Sequence, residues 1–276
     1  MKLGMLLRNS GPASSAATIS ACARAADELG IDNLWTIDHI AIPPDDAEGS
    51  GGRYVDPLAT LAFAAGVTTR VGLGVSVLVL PYRAALPTAK WVASIQELSG
   101  GRLTLGVGAG WMAAEFAATG VARAHRGRIT DDTLKFFHEC FANDVVTAHG
   151  QPFIFSPRPP RPPILIGGQG EHVMRRAVRH GDGWMPMSGD ADKLREPIAS
   201  LTAAMTDAGK PPPQVVPLLQ LDLDSPERAA AQLVALSAVG VTGVNHTARY
   251  ADEAEFRAMA DALLEARQRA GLAASD

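Results

Sequence analysis

The chain is nearly without cysteine. Cys22 and Cys140 are the two in 276 residues, and neither belongs to a CxxC pair. They read as small core residues rather than as a disulfide or a metal pair. Apolar runs long enough to span a bilayer are missing too. The apolar stretch at residues 1–7 is broken at once by Arg8, Asn9 and Gly11-Pro12. It is too short for a signal sequence and reads as a first strand, so the expected location is cytoplasmic. Basic charge is not in excess: 25 Lys and Arg face 29 Asp and Glu, a net charge of -4. Neither nucleic acid nor an anionic membrane is therefore an expected partner. No GxSxG elbow is present, and the first turn, Arg8-Asn9-Ser10-Gly11, lacks the GxGxxG of a dinucleotide-binding doubly wound sheet. Asp38-His39 has no obvious carboxylate or histidine partners near the fourth and fifth strands, so no metal site is expected.

What the chain does have is a repeat of strand and helix. Strands are expected at residues 2–7, 33–37, 71–80, 102–107, 164–166, 182–185, 215–221 and 242–245. Each is followed by a helical pattern. Ile19, Cys22, Ala23, Ala26 and Leu29 recur at helical spacing before Gly30, and Asp56-Pro57 and Ser225-Pro226 open later helices. Eight such units imply parallel strands with right-handed crossovers, hence an α/β protein of the (β/α)8 TIM-barrel class. The length suits a single domain over residues 1–276. Two irregular arms interrupt the rhythm. Residues 40–54 are polar and glycine-rich, and residues 145–161 suggest a small hairpin and a proline-rich arm before the fifth strand. Either is a candidate lid.

In such a barrel the active site lies at the C-terminal ends of the strands. The stretch LSGGRLTLGVGAGWMAAEF, residues 98–116, places Gly108, Ala109 and Gly110 at the exit of the fourth strand. Glycine there permits either a tight strand-to-helix turn or the close approach of a ligand. Gly167, Gly168, Gln169 and Gly170 leave the fifth strand and open a helix, whose free N–H groups suit a phosphate or merely a helix entry. Asp38-His39 ends the second strand. His39 is the candidate acid or base, with a bracing role beside Asp38 as the alternative. Ser76 is an unexpected polar residue in the third strand, and Trp111 suits either a ring cover or the core. Glu115 reads as a holder of a neighbouring loop or helix.

Taken together, Asp38-His39, LGVSVLVLPYR (73–83), AKWVASIQELSGGRLTLGVGAGW (89–111), PPILIGGQG (162–170) and RHGDGWMPM (179–187) resemble the luciferase-like monooxygenase superfamily, most of all its actinobacterial members that use the deazaflavin coenzyme F420. The resemblance implies a barrel with the cofactor ring at its mouth. It implies a strand-three bulge at Val75, Ser76 and Val77 supporting that ring, usually with a non-proline cis peptide. Gly167 and Gly168 would hold the cofactor phosphate, and Asp38 and His39 would lie near the reactive edge. Two family features are replaced: Trp111 stands where the sugar-phosphate dehydrogenases carry a glutamate, and Asp190 where they carry a lysine. A sugar phosphate is therefore not the expected substrate.

The expected function is hydride transfer between F420 and a small organic substrate, with the protein supplying a dry pocket and orientation. Site residues are then His39 for proton transfer and Asp38, Val75, Ser76, Val77, Gly108, Ala109, Gly110, Gly167, Gly168, Gln169 and Gly170 for the cofactor. The alternatives are an FMN-dependent monooxygenase and a non-catalytic cofactor-binding homologue. A homodimer is expected through the alanine-rich helices at residues 56–65 and 84–98.

Overall fold

In the computed structural model, which describes residues 1–273, every expected strand is present and parallel to its neighbours. The order is β1 (Lys2–Leu6), α1 (Ala16–Leu29), β2 (Asn33–Thr36), α2 (Pro57–Ala65), β3 (Gly72–Val79), α3 (Ala85–Leu98), β4 (Leu103–Gly108), α4 (Ala113–Ala118) and α5 (Arg126–Ala142). A hairpin of β5 (Val145–Ala148) and β6 (Gln151–Ile154) follows. Then come β7 (Ile164–Gly167), α6 (Glu171–His180), β8 (Gly183–Met185), α7 (Ala191–Asp207), β9 (Gln214–Val215), β10 (Leu218–Leu219), α8 (Pro226–Ala238), β11 (Gly243–His246) and α9 (Glu253–Arg269).

The large sheet runs β10-β11-β1-β2-β3-β4-β7-β8-β9. Its two end strands, β9 and β10, are halves of one segment interrupted at Val216-Pro217, where proline has no N–H to give to a ladder. Backbone bonds on both sides of the interruption curl the sheet round to meet itself. Val216 N donates to Trp184 O at 3.0 Å and Leu218 N to Pro186 O at 2.8 Å. On the other side Thr242 N donates to Val215 O and Asn245 N to Pro217 O, both at 2.9 Å. The eight-stranded barrel expected from the repeat is the result, with β7, β8 and β11 as its fifth, sixth and eighth strands.

Two cores hold it. The outer one lies between strands and helices and contains Leu3, Leu34, Leu73, Leu105, Val92, Leu134, Leu233 and Leu263, together with both cysteines. Burial pushes the thiols of Cys22 and Cys140 up to about 11, so both are inert at neutral pH. The inner one is small: Trp35, Leu165, Met185 and Val216. A single indole fills the middle of the barrel. The flanking positions on the neighbouring strands are Gly4 and Gly74, because a Cβ at either would overlap the Trp35 ring.

Local signals set the helix starts. Asp56 caps α2 by accepting from Leu58 N (2.8 Å) and Ala59 N (3.1 Å), with Pro57 in the first turn. Ser15 caps α1, and Gly30 ends it in the left-handed region at φ 82°.

The two arms occupy opposite ends of the molecule. Residues 40–54 join a strand to a helix and so lie at the mouth. Residues 145–161 join α5 to β7, a helix to a strand, which places them at the N-terminal end of the barrel. There Phe155 is buried, Gln96 Nε2 donates to Pro160 O at 3.1 Å and Lys90 Nζ donates to Ser156 O. The hairpin is as expected, but its position at the far end corrects the reading of it as a lid. Among the described residues no helix is long and apolar enough to cross a membrane.

Candidate active site

The site is built on the exits of β2, β3, β4 and β7. At β3 the register against β4 shifts between Val75 and Leu78, a bulge that re-aims the strand, and the Ser76–Val77 peptide is cis. The bulge separates the three residues expected to support a cofactor ring. Val75 is fully buried in the outer core, so it offers a ligand no side chain. Ser76 is buried inside the barrel, donating to Thr36 O at 3.3 Å and accepting from Asn245 Nδ2 at 3.0 Å. Val77 alone is partly open, and its methyls explain the glycines around it. A Cβ at Gly108 would lie 2.7 Å from Val77 Cγ2, and one at Gly167 2.6 Å from Cγ1. Those two glycines seat the Val77 side chain rather than leave bare backbone for a ligand.

The turn after β7 is different. Gly168 and Gly170 have positive φ, 111° and 89°, which side chains rarely adopt. Around Gly170 there is open space, and near Gly168 only the Val173 methyl at 3.2 Å. Trp184 Nε1 donates to Gly168 O at 2.8 Å and fixes the turn from beneath. Gln169, Gly170, Trp184, Ser188 and Lys193 line a pocket of about 220 Å3. Lys193, which pairs with Asp190 at 3.0 Å, escaped the sequence reading although it follows that residue by three positions. Gly110 and Ala109 sit between the two regions, and Gly110 (φ 78°) is crowded by Val79 and Phe116.

At the exit of β2, Asp38 and His39 part company. The Asp38 carboxylate is buried and accepts from Arg83 Nη1 (2.6 Å), Arg83 Nη2 (2.8 Å) and Val79 N (2.8 Å). Burial raises its pKa against the pull of Arg83. Every group touching the carboxylate is a donor, so a proton there would find no acceptor, and the ionised form is retained. Burial opposes the charge on Arg83, but hydrogen bonds and charge from Asp38 and Asp56 outweigh it and raise the guanidinium pKa. Asp38 thus braces the mouth, tying β2 to the exit of β3, and its oxygens are already engaged.

His39 remains reachable, with 21% of its side chain exposed. Its ring lies 5.0 Å from Tyr54 and 6.4 Å, edge-on, from Trp111, which is 67% exposed. Behind it is Glu115, buried on α4. Glu115 accepts from Ile40 N (2.6 Å), Ala41 N (3.1 Å) and Tyr82 Oη (2.9 Å), and its Oε2 lies 3.2 Å from His39 Nδ1. The role of loop holder read from the sequence is what the side chain does. Burial works against its charge, but the two backbone donors and Tyr82 outweigh burial and hold the carboxyl below its ordinary value. Tyr82 is pushed up by burial and by that neighbour, so it keeps its proton.

The far end of the loop is also pinned, by Gly11 N to Arg53 O (3.0 Å) and Val55 N to Asn9 O (2.8 Å). A separate cavity of about 380 Å3 opens at the N-terminal end of the barrel, among Lys2, Asn33, Trp35, Thr104 and Gln214. It is remote from the strand ends where barrel chemistry is placed. Among the described residues no three His, Cys, Asp or Glu side chains converge as a metal set.

Fold and site together define a (β/α)8 barrel with a reachable histidine and an open glycine turn at the C-terminal mouth. The chain matches the luciferase-like monooxygenase family over residues 1–275 and belongs to that family, whose members are oxidoreductases. A curated relative, an uncharacterised protein of Mycobacterium tuberculosis, is 31% identical over 218 residues, 72% of this chain and 75% of that one. An F420-dependent hydroxymycolic acid dehydrogenase of the same organism is 28% identical over 206 residues, 69% of this chain and 54% of that one. Among solved structures, the oxygenating constituent of 3,6-diketocamphane monooxygenase from Pseudomonas putida, in complex with FMN, superposes with a TM-score of 0.79 at 14% identity and full coverage of both chains.

Proposed function

We propose that the protein is an F420-dependent oxidoreductase acting on a small, uncharged organic substrate at the barrel mouth. The observation that carries this is the juxtaposition of a reachable His39 with an open, positive-φ turn at Gly168–Gly170 on the same end of the barrel. A flat cofactor with a phosphate fits what is present. The turn leaves open space around Gly170 and presents the backbone N–H groups of Gln169 and Gly170 ahead of α6, and Ser188 and Lys193 line the pocket beside them. Val77, standing on Gly108 and Gly167, is the side chain placed to support a ring. When bound, the cofactor supplies or takes up the hydride. His39 handles the accompanying proton, and the rings of Trp111 and Tyr54 beside it exclude water and favour an uncharged substrate. Such a reading carries a cytoplasmic location with it, where reduced cofactor is regenerated.

Support for F420 over FMN comes from sequence. The stretches LPYR and SGGRLTLGVGAGW look most like the F420 group, and a curated F420-dependent relative is 28% identical over 206 residues. Titrating F420 and FMN side by side tests the assignment. The expected result is the lower dissociation constant for F420, and tighter binding of FMN would overturn it.

A further inference from the structure

We propose that Glu115 is a positioning residue that fixes which nitrogen of His39 exchanges its proton, while the same carboxylate anchors the first residues of the mouth loop. This deepens the reading of His39 as the proton-transfer group and rests on it.

The inference follows from what surrounds the carboxylate. Glu115 is 1% exposed and meets four groups: Ile40 N–H and Ala41 N–H at Oε1, Tyr82 O–H and His39 Nδ1 at Oε2. The two amides can only donate. Tyr82 Oη, 2.9 Å away, has the same carboxylate as its hydrogen-bond partner. An ionised carboxylate has no proton to offer, so the His39 nitrogen 3.2 Å away must carry one and donate it. In the neutral ring, that places the hydrogen on Nδ1 and leaves the Nε2 lone pair free. When Nε2 takes a proton, the ring becomes an imidazolium whose Nδ1–H still faces an anion. Proton gain and loss therefore occur at Nε2 alone, with no rearrangement behind the ring.

One residue thus couples two features of the mouth. Oε2 sets the tautomer and plane of His39, and Oε1 holds the chain that leaves it toward the glycine-bearing loop at residues 40–54. Tyr82 belongs to the LPYR segment between β3 and α3, so the exit of β3 bears on the same carboxylate. Trp111 and Tyr54 bracket the ring from other elements.

Glu115→Gln separates this role from a merely structural one. The amide oxygen replaces Oε1 opposite the Ile40 and Ala41 amides, so the loop anchor survives. The amide NH2 then faces Tyr82 Oη and His39 Nδ1, both of which are able to accept. His39 is forced into the opposite tautomer, with its proton on Nε2. Nitrogen-15 spectra of the histidine side chains in the cofactor-free protein read this directly, with the His39 signals assigned by their loss in His39→Asn. The expected result is Nδ1–H in the unaltered protein and in Tyr82→Phe, and Nε2–H in Glu115→Gln. Turnover in Glu115→Gln should fall about 10²–10⁴-fold, the scale of general acid–base help. Cofactor dissociation constants should stay within about twofold of the unaltered protein, the change expected when loop and cofactor contacts are kept.

An Nε2–H tautomer in the unaltered protein overturns the proposal, even if the glutamine variant does not fold. So does an unchanged tautomer in a folded Glu115→Gln, or a variant that loses cofactor affinity but keeps its turnover. Because the tautomer is measured without cofactor, its outcome stands apart from whether F420 is the right partner.

Discussion

Replacing Arg83 by methionine removes the partner of a carboxylate that has nowhere else to turn. The Asp38 side chain is 0% exposed and that of Arg83 13%, and their contact is two-pronged, at 2.6 and 2.8 Å. After the substitution Asp38 keeps one donor, Val79 N. Removing one member of a buried pair costs about 3–5 kcal/mol, because the surviving charge is left uncompensated. The second contact of Arg83, to Asp56 with its 46% exposed side chain, adds little. With a urea slope at the upper end of about 1–3 kcal/mol per molar, the midpoint should fall by roughly 1–2 M. The pH dependence has a definite sign. In Arg83→Met burial acts on Asp38 without the opposing guanidinium, so the native carboxyl binds a proton more tightly than the unfolded one. Stability of the variant then falls as pH rises through and above the ordinary carboxylate range, and the deficit shrinks on acidification. Asp38→Asn combined with Arg83→Met should recover most of the loss, since no buried charge remains. Urea titrations of the unaltered protein, Arg83→Met and the double variant at pH 5 and pH 8 check this. A loss below about 1 kcal/mol in Arg83→Met would refute the assignment of Asp38 as a brace.

Other outcomes follow from the same geometry. Gly168→Val should weaken cofactor binding, because a side chain at φ 111° both strains the turn and fills the space over its N–H groups; an unchanged dissociation constant would remove this turn from the site. His39→Ala should lower turnover by about 10²–10⁴-fold with far less effect on cofactor affinity, and near-normal turnover would reduce His39 to a structural role. We expect a homodimer through α2 and α3, on which Phe63, Trp91 and Leu98 are exposed at 43%, 50% and 73%. Trp91→Asp should then shift light scattering toward monomer, whereas a monomeric unaltered protein would count against the interface.

The strand and helix repeat was legible because its signals are local. Asp56-Pro57 and Ser225-Pro226 start helices, Gly30 stops one, and buried strands run apolar. Glu115 could be read as a loop holder, since a lone acid in the first turn of a helix beside a glycine turn suits that task. What stayed hidden needs distance. The partner of Asp38 lies 45 positions away in a motif whose residues had no assigned roles, and no period connects them. The glycines at 108 and 167 looked like a bared strand exit, but the reason for them is the Val77 side chain, which reaches both only because β3 bulges. The resemblance assigns Val75, Ser76 and Val77 together to ring support, whereas strand alternation and the bulge send the three to different surroundings. The hairpin at 145–161 looked able to cover the mouth, but connections from helix to strand lie at the opposite end of a barrel.

We propose that chemistry at this mouth is hydride transfer to or from F420 with His39 managing the proton. Reduced deazaflavin reacts poorly with oxygen, and reduced FMN reacts readily. The most direct measurement is turnover of one substrate with reduced F420 and with reduced FMN, each under air and under strict anaerobiosis, in the unaltered protein and in His39→Ala. Turnover with F420 is expected at the same rate with and without oxygen, and is expected to be lost in His39→Ala. Product formed only with FMN and only in the presence of oxygen would contradict it.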